Sequence, residues 1–172
     1  DFNRGRQDKA AHPFETTFSV NDVRITTRFE AGNPLAMIFS TMHEAGHGMY
    51  EQGVNPAFER TALESGASLA VHESQSRMWE NLVGRSLPLW EHFFPKLKKT
   101  FPAQLDGVGL RAFYKGVNKV EPSLIRVNAD EATYNLHIML RLDLEIAMVE
   151  NKVELKHLPE IWNTKMREYL GV

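Results

Sequence analysis

The sequence predicts a mainly α protein with a helical core and one small β-sheet or hairpin near its N-terminus. Three observations carry that prediction. Apolar residues recur at helical spacing through long stretches, and Pro and Gly punctuate them. Only one run, between Thr16 and Phe29, is rich in β-branched residues. Neither internal repeats nor low-complexity stretches occur, and 172 residues suit one core better than two comfortable domains.

Residues 1–13 are polar and read as a loop. Thr16–Phe29 places Val20, Val23, Ile25 and Phe29 among threonines, with Asn21-Asp22 as a turn, and so predicts a short hairpin. Asn33 can cap a helix and Pro34 suits its first position, so a helix should run from Pro34 to about Gln52 and stop at Gly53. A second helix is expected from about Ser65 to Val83, ended by Gly84 and carrying Leu69, Val71, Met78, Trp79 and Leu82. After Pro88 come helices over Leu89–Lys98, Leu110–Lys119, Ala129–Glu150 and Leu158–Tyr169. The third of these four has apolar residues that alternate locally, but its length and its Glu and Arg content favour helix over strand.

A formal net charge of −2 gives no basic footprint for nucleic acid. Lys96, Lys98 and Lys99 form the densest basic cluster, which a solvated helix face explains. Cysteine is absent, so any metal must be held by His and carboxylate. No signal peptide and no membrane-spanning apolar run is found, and the simplest expectation is a cytoplasmic protein without membrane partners.

The first predicted helix contains S-T-M-H-E-A-G-H-G-M-Y, from Ser40 to Tyr50. Residues four apart on a helix lie about 40° round and about 6 Å along its axis, so His43 and His47 can share one ion. Glu44 points to one side of the pair, where a carboxylate can take a proton from water activated by the ion without filling a coordination position. A chance match to this spacing in so short a chain is on the order of one per cent from average residue usage. The apolar and small neighbours Met42, Ala45, Gly46 and Met49 further weaken the alternative of two unrelated surface histidines.

A catalytic zinc needs a third protein ligand and an open position. The extended pattern with a third histidine fails, because position 50 is Tyr and position 53 is Gly. Two glutamates remain. Glu64 stands near the expected start of the second helix, where a first-turn acid also has an ordinary role. Glu73 lies mid-helix, and two antiparallel helices joined by a loop would bring it back beside His47; geometry favours it without removing Glu64. His72, adjacent, is a candidate supporting donor.

H-E-A-G-H followed by H-E-S-Q-S-R-M-W-E-N resembles the carboxypeptidase Taq family of zinc-dependent metallocarboxypeptidases. His12-Pro13-Phe14, Asp22-Val23-Arg24-Ile25-Thr26 and Ile125-Arg126-Val127-Asn128-Ala129-Asp130 resemble its H-P-F, D-x-R-x-T and I-R-x-x-A-D motifs in order. The resemblance implies that His43, His47 and Glu73 ligate Zn2+, or Co2+ or another divalent ion, and that Glu44 is the acid–base catalyst. It implies that Arg126 receives the free C-terminal carboxylate of a peptide substrate, which suits a guanidinium fork; an ion pair with Asp130 is the plainer role for that arginine. Asp22 and Arg24 would brace the β element, and His12 would do the same or touch substrate. Tyr134 and His137 would be packing residues or would support the site without touching the ion.

The chain departs from the family in two ways. Phe58-Glu59-Arg60 and Leu63-Glu64 are more acidic than the family's usual approach to H-E-S. The family's long N-terminal helical region and its G-x-x-Q-D-x-H-W motif do not occur here. The expectation is therefore that 1–172 is a single catalytic-core piece of a larger, homodimeric metallocarboxypeptidase, either active on its own or metal-binding but silent.

Overall fold

The computed structural model describes all 172 residues, and it is mainly helical with one three-stranded sheet. The chain divides into two compact units, Asp1–Gly107 and Val108–Val172.

The first unit opens with strands β1 (Gly5–Lys9), β2 (Phe14–Ser19) and β3 (Asp22–Thr27). The hairpin is present as β2 and β3, antiparallel, with Val20-Asn21 at its turn. Strand β1 corrects the expected loop: it lies parallel to β3, with Arg6 opposite Arg24, and makes the sheet order β1-β3-β2. Its sequence GRQDK has neither apolar alternation nor β-branched residues, so backbone pairing alone defines it. Gly5 permits that pairing, because a Cβ there would lie 2.1 Å from the Val23 carbonyl oxygen.

Helix α1 (Pro34–Gln52) has the expected bounds, with the Asn33 side chain accepting from Ala36 N and Pro34 in the first turn. It lies between the sheet and the next helix, and two glycines set both approaches. A Cβ on Gly48 would come within 3.2 Å of Val23, a core residue of β3. A Cβ on Gly46 would meet Ser76 Cα at 2.6 Å and the Gln75 carbonyl oxygen at 2.8 Å. The backbones of α1 and of the helix that carries Gln75 and Ser76 therefore touch at Gly46, beside His47.

Helix α2 (Leu69–Arg77) begins four residues later than expected, capped by Ser68, whose hydroxyl accepts from Val71 N. Residues 59–68 stay outside the helix, and exposed Leu69 and Val71 give no apolar face to extend it. After Arg77 the helix widens into a π turn over Met78–Val83, where Gly84 N donates to Trp79 O at 2.9 Å. Helix α3 (Leu87–Thr100) sends Trp90 against Phe39 of α1, edge to face, with ring centres 6.3 Å apart. The short α4 (Pro102–Leu105) completes the unit.

The second unit comprises α5 (Leu110–Val117), α6 (Glu131–Val149) and α7 (Leu158–Leu170), which follow the predicted helices to within a few residues. Leu140 and Leu144 of α6 pack on Met166 and Leu170 of α7, flanked by Leu136, Ile161 and Trp162. Asp130 caps α6, accepting from Ala132 N, Thr133 N, the Thr133 hydroxyl and, across the loop, Glu121 N. No helix is long and apolar enough to cross a membrane.

Candidate metal centre

One turn of α1 and the middle of α2 bring together His43, His47 and Glu73, whose donor atoms all lie within 4.8 Å of one another. Glu73 Oε2 stands 3.2 Å from His47 Nε2 and 3.6 Å from His43 Nε2. Ligands of a tetrahedral zinc, each about 2.1 Å from it, are about 3.4 Å apart, and the two observed spacings bracket that value. The longer one exceeds an ordinary hydrogen bond. The rings stand nearly perpendicular, at 80°, with both Nε2 atoms turned toward the carboxylate. This donor set, two imidazoles and one carboxylate without sulfur, fits a divalent ion with room for a further ligand.

Glu73 is held by more than the histidines. The Ser76 hydroxyl donates to its Oε2 at 3.1 Å. Burial raises the Glu73 pKa, but His47, His43 and Ser76 outweigh it and leave the carboxyl below its ordinary value. Glu44 behaves oppositely. It is buried, and burial, with the charges of Glu15 and Glu73, holds its pKa above the usual carboxylate value against the pull of His43 and His47. The two acids beside the histidines are thus shifted in opposite directions, Glu73 downward and Glu44 upward.

Glu64 does not reach the site. Its Oε2 accepts from Arg60 N at 2.5 Å within its own loop, five residues before α2 begins. Of the two candidate carboxylates, Glu73 is the one that lies beside His43 and His47.

His72 does not donate to a ligand either. Its ring stacks on His47, with centres 4.5 Å apart and planes at 21°, and its Nε2 lies 2.8 Å from Glu51 Oε1 and 4.0 Å from Glu15 Oε2. Burial raises the Glu15 pKa, with the Thr17 hydroxyl and His72 opposing it. Neither glutamate stood out in the sequence. Both side chains are buried, yet no local pattern marks them; Glu15 even alternates with Phe14 and Phe18, the apolar residues of its strand. Glu80 was missed as well: its Oε2 sits 2.8 Å from His43 Nδ1.

The remaining candidates lie elsewhere. Asp22 and Arg24 pair with each other on the outward sheet face through two 2.8 Å hydrogen bonds. His12 is exposed, and its carbonyl accepts from the Thr26 hydroxyl. In the second unit Arg126 hydrogen-bonds the Tyr134 hydroxyl and lies over that ring, at 5.3 Å from its centre. The Arg126–Asp130 pair considered from sequence does not form, because the Asp130 carboxylate is taken up in capping α6. His137 is fully buried.

Taken with the helical fold, the donor set defines a class: a mainly helical protein with a candidate His-His-Glu metal site. Comparison with known proteins narrows it. The profile described as carboxypeptidase Taq (M32) metallopeptidase matches residues 1–172. The chain is 53% identical over its whole length to thermostable carboxypeptidase 1 of Thermus thermophilus, and 45% identical over 98% of it to thermostable carboxypeptidase 1 of Pyrococcus furiosus. It spans 34% of the length of each. The crystal structure of the M32 carboxypeptidase from Deinococcus radiodurans R1 superposes on all of this chain and 35% of its own, with a TM-score of 0.96 and 50% identity. The chain belongs to the carboxypeptidase Taq (M32) metallopeptidase family.

Proposed function

We propose that residues 1–172 form the catalytic core of a zinc-dependent metallocarboxypeptidase, with His43, His47 and Glu73 as ligands and Glu44 as acid–base catalyst. The observation that carries this reading is the convergence of the three donor atoms within 4.8 Å of one another, with Glu44 next in sequence to the first of them. A bound divalent ion would supply Lewis acidity toward the scissile carbonyl and lower the pKa of water. Glu44 would take that water's proton and hand it to the leaving amine, a task its raised pKa suits. Arg126 would bind the substrate's terminal carboxylate, which marks the chain end for an exopeptidase. A cytoplasmic setting and a homodimer of the longer protein belong to the same proposal.

Glu44→Gln tests the division of labour. Turnover should fall by about 10²–10⁴-fold, with one equivalent of metal still bound by elemental analysis; near-normal activity would remove Glu44 from the chemistry. A second reading is a metal-binding segment with no turnover of its own, favoured by the chain's spanning 34% of its relatives. Parallel assays of this chain and the longer protein on peptides with free and blocked C-termini decide between them. Cleavage of both peptides would instead indicate an endopeptidase and displace Arg126 from its role.

A further inference from the structure

His43 has a second partner that the ligand set does not use. Its Nδ1 lies 2.8 Å from Glu80 Oε2, while Nε2 of the same ring faces Glu73 Oε2 at 3.6 Å. Both nitrogens of one imidazole therefore meet carboxylates from one continuous helical stretch. The Glu80 oxygen that faces His43 also accepts from Arg77 Nη1 at 3.0 Å. All three side chains are largely withdrawn from water, at 19% exposed for His43, 18% for Arg77 and 17% for Glu80. His47 is held differently. Its Nδ1 is buried without a hydrogen-bond partner, and its ring is covered by His72.

We propose that Glu80 is a positioning residue for the metal site, acting through His43 and held on it by Arg77. An imidazole that donates from Nδ1 to a carboxylate keeps its lone pair on Nε2, the nitrogen turned toward Glu73. The carboxylate also fixes the rotation of the ring and makes Nε2 a better donor. Arg77 prevents the Glu80 carboxylate from turning away to solvent. The two histidines are consequently unequal, His43 oriented by charge and His47 by packing. This inference rests on the metal reading above. A plain structural role, an Arg–Glu pair stiffening the end of α2, would alter melting temperature but not the affinity for metal or the tautomer of His43.

The test is a zinc competition titration of the full chain, with cobalt absorption spectra, for the unsubstituted protein and for Glu80→Ala, Glu80→Gln, Arg77→Met and His43→Ala. Zinc dissociation constants should rise about 10–100-fold in Glu80→Ala. Glu80→Gln, which keeps an acceptor oxygen, and Arg77→Met should each lose a smaller factor, and the cobalt spectrum should change most in Glu80→Ala. Nitrogen NMR of metal-free protein should report His43 protonated on Nδ1 in the unsubstituted chain and a mixture of tautomers in Glu80→Ala. Unchanged affinity and tautomer in Glu80→Ala would overturn the proposal. If that variant does not fold, Glu80→Gln decides, and parity with the unsubstituted chain in both affinity and cobalt spectrum overturns it. Failure of the metal reading looks different: His43→Ala would then bind zinc no more weakly than the unsubstituted chain.

Discussion

Gly46 lies between the two histidines, where the backbones of α1 and α2 touch. Any side chain there meets Ser76 Cα and the Gln75 carbonyl, which are backbone atoms that no rotamer change can move aside. Gly46→Ala should therefore destabilise by about 1–3 kcal/mol and, by pushing α2 outward, carry Glu73 away from both imidazoles. Thermal melts and zinc titration check the two effects, and a variant with unchanged affinity would show that α2 can shift without disturbing the site. At this scale the sequence reveals what is contiguous. His43, Glu44 and His47 are readable because one helical turn fixes their relation, and Glu73 because a helical hairpin limits where the chain can return. Glu80, Glu51 and Glu15 were not readable. Their partners stand 37, 21 and 57 positions away, and nothing local distinguishes them from solvated acids.

Among the elements, α1, α6 and α7 emerged nearly with their observed bounds because caps and prolines mark their ends. Strand β1 and the start of α2 did not, since one is defined by pairing with a distant strand and the other by a cap inside a run of small residues. The cap of α6 gives a testable pH dependence. Burial raises the Asp130 pKa, but hydrogen bonds from Glu121, Thr133 and Ala132 outweigh it and leave the pKa below its ordinary value. A group depressed in the folded state stabilises above its unfolded pKa, about 3.9, and that contribution is lost as pH falls through the folded value. Asp130→Asn keeps an acceptor for the first-turn amides but has no charge to lose. Its stability should depend less on pH below about 4, whereas Asp130→Ala should cost about 1 kcal/mol at neutral pH. Denaturant melts across pH check both, and parallel acid profiles for Asp130→Asn and the unsubstituted chain would contradict the assignment.

For the molecule as a whole, the proposed ligands all fall within Asp1–Gly107, and the Leu140–Leu170 cluster belongs to the other unit. Ion binding stabilises the states that present the site, by about 2.7 kcal/mol at a free concentration a hundred times the dissociation constant. Hydrogen exchange with and without a chelator should consequently show amides of α1 and α2 losing protection by up to about 100-fold, while those of α6 and α7 change little. Equal loss across the chain would mean that the two units open together.

The π turn over Met78–Val83 holds one residue more than the α turn it replaces. Deleting Met78 or Trp79 would let the helix run on regularly, leaving everything before the cut in place while swinging Glu80 round by roughly 100°. A single-codon loss is thus a ready evolutionary dial for ion retention: natural variants differing by one residue of length here would carry identical donors yet surrender their cation to chelators at different rates.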